Sequence, residues 1–191
     1  MIEGEALVLP PEAAGAAKAY LRVERSDEDV LIAGLVQAAA EICEAFIGQA
    51  LLARGFTETV EASRKWRRLG RGPVGSIESV DLLPVEGVAQ PLASEAYGID
   101  VDAAGEGWVR LADPGAARRV RVAYQAGLAL AWADLPAALR QGILRLAAHF
   151  YSSRTAEGAG AAEPPAAVAA LWRPFRRLRL GRGGGRPCSN D

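Results

Sequence analysis

Apolar residues return at helical intervals along two long stretches of the chain. In the first, Leu31, Leu35, Ile42 and Phe46 form one column and Ile32, Val36, Cys43 and Ile47 a second, which merge into one wide stripe. The pattern predicts a helix over 27–50, with Ser26 placed to cap it, Asp29 at capping-box spacing, and Asp27 and Glu28 adding negative charge at the positive end of its dipole. A stripe of that width fits a face turned to the core alone, or one turned to the core and to a neighbouring subunit. The second stretch predicts a helix over 135–153: Pro136 falls in its first turn, and Leu139, Ile143, Leu146 and Phe150 follow at intervals of four, three and four. A shorter, alanine-rich helix over 11–22 opens at Pro10 and Pro11, because a proline in the first turn gives up no helical hydrogen bond.

Between these helices the period changes to two. Tyr97, Ile99 and Val101 alternate with small or polar residues, and Val120, Val122 and Tyr124 interleave with Arg119 and Arg121, giving strands with one dry and one wet face. Gly72-Pro73, Gly105, Gly107 and Pro114-Gly115 supply the breaks. These strands predict a β insertion across 56–125. Beyond it, Glu157 to Ala162 read as a glycine and alanine linker. Val168, Leu171, Phe175 and Leu178 read as a short helical segment that Pro174 must kink or end. The expected fold is α+β and mainly helical: a helical bundle with an inserted small antiparallel β-sheet and a C-terminal helix and tail. Residues 1–155 form the main domain and 156–191 the linker, the short helix and a flexible basic tail.

Composition narrows the function classes. Of the 191 residues 50% are hydrophobic, but 39 are alanines, which bury little area each, so the core is adequate rather than large. No stretch is expected to span a bilayer, and the acidic start Met1-Ile2-Glu3-Gly4-Glu5 lacks the basic residues of a signal peptide, so the chain is expected to be made inside the cell without a membrane partner. Cys43 and Cys188 lie in a predicted helix and a predicted tail, too few and too far apart for a disulfide framework or a paired-ligand zinc site. Charge is uneven: residues 1–50 hold nine acids against three bases, whereas Arg173, Arg176, Arg177, Arg179, Arg182 and Arg186 face a single acid, Asp191, in the last stretch. Opposite ends suit contact with different partners or with other copies; a GC-rich genome also yields arginine without selection for it.

Candidate chemistry is sparse. His149, the only histidine, falls in the polar column Gln141, Arg145, His149 and Ser152, which points to a surface or an interface. Cys43 lies in an apolar column without a cation one turn away, the setting of a small buried hydrophobe. Gly181, Gly183, Gly184 and Gly185 lack the lysine and the preceding strand of a phosphate loop. No catalytic group, metal site or cofactor is expected. Two basic clusters remain, Arg64, Lys65, Trp66, Arg67, Arg68 with Arg71, and the arginines from Arg173 on. Arginine beside an aromatic can stack on bases and neutralise phosphates, and the same residues also fit a solvated strand face or arginines docked on an acidic protein surface.

Four stretches in order resemble a known family. They are Ala17-Lys18-Ala19-Tyr20-Leu21-Arg22-Val23 before the acidic Ser26-Asp27-Glu28-Asp29; Ala39 to Leu51, a helix end with an aromatic, a glycine and a leucine; Arg71 to Val80, a strand entry; and Val120-Arg121-Val122-Ala123-Tyr124-Gln125-Ala126-Gly127-Leu128 through Leu135-Pro136 to Ala148-His149-Phe150-Tyr151. Spanning most of 11–155, they resemble the adaptor, or head-tail connector, proteins of long-tailed phages and prophage-derived gene transfer agents. The resemblance implies a non-enzymatic subunit of a closed ring, expected to be dodecameric, at the head-tail junction of a particle assembled in the bacterial cytoplasm. Such a ring sits below the portal protein and above a stopper or tail-terminator protein, and double-stranded DNA passes through it without sequence recognition. It implies portal contact at the C-terminal segment, with Trp172 and Phe175 as apolar anchors and Arg173, Arg176, Arg177 and Arg179 as charged partners. Arg64, Lys65, Arg67 and Arg68 are the candidates for a channel or nucleic-acid face. The alternatives are another neck protein, expected to be richer in strand, and a DNA-binding accessory protein.

Overall fold

A computed structural model describes residues 1–84, 88–115, 118–153 and 164–177. The chain forms two compact units interleaved in sequence, one from Met1–Glu5 and Ala53–Leu128, the other from Ala6–Leu52 and the described residues from Ala129 on.

The second unit is helical: α1 (Pro11–Leu21), α2 (Asp29–Ile47), α3 (Ala137–Ser153) and α4 (Ala166–Trp172). α1 begins at Pro11, as the paired prolines require. α2 is shorter than the expected 27–50 at both ends. Ser26 does not cap it with its side chain; Glu28 is the capping residue, and Ser26 instead offers its carbonyl to the Asp29 N–H at 3.3 Å. The other end is set by Gly48, whose left-handed φ of 70° turns the chain while its N–H reaches Glu44 O at 2.9 Å. The Glu44 carboxylate then takes the Leu51 N–H at 2.6 Å and fixes the departing strand of chain.

α2 packs on α1, α3 and α4. Its two apolar columns part company: Ile32, Val36, Cys43 and Ile47 are buried with Ala39 and Ala40, whereas Leu31 is 42% exposed and Leu35, Ile42 and Phe46 are half-buried. By length and composition α2 could cross a bilayer, which corrects the expectation that no stretch comes near; its buried column makes it the core helix of this unit. From α3, Leu139, Ile143 and Leu146 complete that core, each buried side chain contributing about 1.5–3 kcal/mol. Gln37 pins the extended segment ahead of α1, with its amide nitrogen on Leu7 O at 2.6 Å and its oxygen accepting the Leu9 N–H at 3.2 Å.

The first unit holds β1 (Ile2–Gly4), β2 (Arg54–Glu61), β3 (Arg67–Arg68), β4 (Val74–Leu83), β5 (Gln90–Pro91), β6 (Tyr97–Val101), β7 (Gly107–Leu111) and β8 (Arg119–Ala126). They form two antiparallel sheets, β1-β2-β8-β4-β5 and β3-β7-β6, rather than one small insertion. With β2, β4 and β8 running eight, ten and eight residues, the fold is α+β without the expected helical dominance. The central strand β8 buries Val120, Val122, Tyr124 and Ala126 and turns Arg119 and Arg121 outward, the alternation legible in its sequence. Glu58 sits on the inward face of β2 between Phe56 and Val60, buried but satisfied. Its carboxylate accepts the Gly70 N–H at 2.6 Å and the Tyr124 hydroxyl at 3.1 Å, and that hydroxyl oxygen accepts the Arg71 N–H at 3.2 Å.

Candidate interaction surfaces

The C-terminal segment is held by its own unit. α4 stops at Trp172, and Pro174 enters a single tight turn over Arg173–Phe175, as its missing N–H demands. Trp172 is fully buried. Its ring lies over Gly142 of α3, where a β-carbon would stand 2.1 Å from the indole nitrogen; its centroid is 5.7 Å from that of Phe46, and its N–H points at Leu139 O, 3.4 Å away. The reading of Trp172 as an anchor offered to a partner is therefore corrected: a wide indole on a short helix finds its slot in the bare Gly142 backbone of its own unit.

Phe175, in the turn after Trp172, and Arg177, just beyond it, are tied down by their backbone. Gln49 donates to Phe175 O at 2.5 Å, and the Arg177 N–H reaches Ile47 O at 2.9 Å. Phe175 and Arg177 are half-buried, while Arg173 and Arg176 are exposed, the Arg176 guanidinium lying 5.3 Å from the Phe46 ring centroid. The Arg176 guanidinium over a half-covered ring, with the exposed Arg173 on the same short segment, can dock an acidic, partly apolar protein surface. Arg179, like Arg182 and Arg186, lies outside the described residues.

The second basic cluster is largely neutralised from within. Arg64 pairs with Asp113 at 3.0 Å, Arg67 with Glu61, and Arg68 with Glu106 at 3.7 Å, while Lys65 and Arg71 are exposed. The hydrogen bond from Arg64, reinforced by the Gly115 N–H and the Arg64 charge, holds the Asp113 carboxyl below the usual aspartate range. Trp66 does not stack openly either: the Arg110 guanidinium covers its ring at 4.8 Å. Phosphates meeting this face must compete with three carboxylates already in place.

His149 is exposed on α3. Cys43 is buried, and burial first, with the Glu44 charge second, pushes its thiol far above the ordinary cysteine range, which keeps it protonated and inert. Among the described residues no group of three or more His, Cys, Asp or Glu is placed to hold a metal. The sequence reading missed Gly142 as a docking slot, whose signal is a glycine inside a strong helical pattern, and Glu58, whose signal is a carboxylate on the apolar register of a strand.

No protein family profile and no curated protein matches the chain. Solved structures do, among them chains of gene transfer agent particles. A chain in the neck of an empty gene transfer agent particle, computed with sixfold symmetry, is 27% identical over 96% of this chain and 100% of its own, with a TM-score of 0.75. A chain in the virion of a native gene transfer agent particle is 27% identical over 96% of this chain and 98% of its own at a TM-score of 0.73. A third, in the neck of a native particle computed with twelvefold symmetry, is 28% identical over 96% of this chain and 100% of its own at 0.70. The likeness is to a whole fold from end to end, not to a shared motif.

Proposed function

We propose that this chain is a structural neck protein of a tailed-phage-like particle, and specifically the ring-forming adaptor that joins portal to tail. The observation that carries the reading is the end-to-end similarity to chains of gene transfer agent necks and virions. Sixfold and twelvefold symmetry in the necks of those relatives supports a closed ring, with a dodecamer as the natural count. A role by contact rather than by chemistry agrees with a buried, protonated Cys43 and an exposed surface His149.

Within that reading the portal contact uses Arg173, Phe175, Arg176 and Arg177, on a segment that Trp172 locks in place, and draws on Arg179, which lies outside the described residues. A stopper or tail-terminator protein sits below, and DNA passes through the ring without sequence readout. The DNA-binding accessory alternative loses ground because Arg64, Arg67 and Arg68 already meet Asp113, Glu61 and Glu106. The remaining neck roles, stopper and tail completion, are less suited to a chain with four helices beside its sheets among the described residues.

The test is genetic and visual. Deleting the gene is expected to leave DNA-filled heads unjoined to tails, and the double reversal Arg173→Glu and Arg176→Glu is expected to reproduce that defect while the purified protein melts as before. Joined, transducing particles from the deletion would end the proposal; joined particles from the reversal alone would remove the C-terminal portal contact from it.

A further inference from the structure

α2 is more apolar than its own unit uses. Val30 is 89% exposed and Leu31 42%, and a β-carbon built on Gly34 would meet nothing within 4 Å. These three lie between Asp27, in the turn just before the helix, and the exposed Glu41 on it, so an apolar, low centre sits between two acids. α2 contains Asp29, Glu41 and Glu44 and no base. α3 is its inverse, with Arg140, Arg145 and His149 and no acid, and Arg145 and His149 face outward in one column.

A ring closes only through heterologous contacts, in which each subunit offers two different surfaces, one to each neighbour. We infer that the Val30–Leu31–Gly34 ridge of α2 in one copy seats against the Arg145 column of α3 in the next copy. The occupant of the ridge is thus a second copy of this chain, chosen by sign of charge. Asp27 and Glu41 bracket the contact and meet Arg145 and its neighbours, and Gly34 lets the partner helix approach closely enough for Val30 and Leu31 to be covered. The inference rests on the proposed ring and names the surfaces that build it.

The experiment uses intact particles from cells producing a full-length Cys188→Ser chain that also carries Val30→Cys and Arg145→Cys, oxidised before denaturing electrophoresis. The expected result is a ladder of covalent multimers rising to the closed ring, with neither cysteine alone producing it. Chain present in the necks without a ladder overturns this interface and leaves the ring standing. Dimers from Val30→Cys alone overturn it as well, because they demand a twofold contact of α2 with itself. Absence of the unsubstituted chain from the necks removes the ring and the interface together. Val30→Asp gives an independent readout: an exposed position predicts an unchanged melting temperature and a loss of neck incorporation of at least about tenfold, the ratio that about 1.4 kcal/mol commands. Undiminished incorporation contradicts the proposal.

Discussion

Gly142 and Trp172 form a matched pair, and a double-mutant cycle reads the match directly. Gly142→Ala places a methyl group 2.1 Å from the Trp172 indole nitrogen and 2.8 Å from its Cε2, distances no real contact shows, so α4 must shift or the indole must leave its slot. Overpacking of that kind costs about 1–3 kcal/mol. Trp172→Ala alone empties a fully buried indole site, a loss of about 3–5 kcal/mol. With the indole gone, the same Gly142→Ala change has space to fill and improves helix propensity, so its sign reverses to a gain of up to about 1 kcal/mol. The coupling between the two sites is then about 1–4 kcal/mol. Urea unfolding followed by circular dichroism measures it, and each kcal/mol corresponds to a melting shift of about 2–4 °C in a chain of this size. If Gly142→Ala costs the same, within about 0.5 kcal/mol, in both backgrounds, Trp172 does not occupy the Gly142 slot and the account of the docked C-terminal segment is wrong.

Three smaller predictions rest on single contacts. Tyr124→Phe removes one hydroxyl from the buried Glu58 carboxylate and an acceptor from the Arg71 N–H, and chemical denaturation should show a loss of about 1–3 kcal/mol; a loss below about 0.5 would mean that water replaces the hydroxyl. In a Cys188→Ser chain, Cys43 should resist thiol reagents until the protein is unfolded. Because its folded pKa lies above the unfolded value near 9, the unfolded chain releases its proton first, so stability is full below pH 9 and declines above it, whereas rapid labelling of folded protein would contradict the burial. Arg64→Ala should raise the Asp113 carboxyl back toward the ordinary aspartate range in an NMR titration, and an unchanged titration would show that the Arg64 pair does not persist in solution.

Much of the architecture was legible because it repeats. α3 carries four periodic apolar residues behind a proline, and β8 alternates valine and tyrosine with arginine, so period alone named both. β1 spans three residues, too few for any period, and exists only because β2 offers it an edge. The start of α2 escaped for another reason: Ser26 suits a cap by residue type, but it meets the helix through its carbonyl and not its hydroxyl, so the helix begins at Asp29. At the candidate site, sequence identified the C-terminal arginines and aromatics as a group but not which way each faces. Trp172 and Phe175 are three apart on the same short segment, yet Gly142 on a distant stretch of chain claims only the tryptophan. The basic cluster at Arg64 likewise looked unopposed because Asp113 and Glu106 reach it only through the pairing of β3 with β7 and the turn beyond it.

The central claim is that this chain is a neck ring subunit, and direct imaging of the neck is its sharpest test. In a reconstruction of particles from the cells that make it, density between portal and tail should fit twelve copies of this fold around the DNA axis, each with Trp172 seated on its own Gly142. A neck fully accounted for by other chains, with this one absent from the particle, would contradict the account.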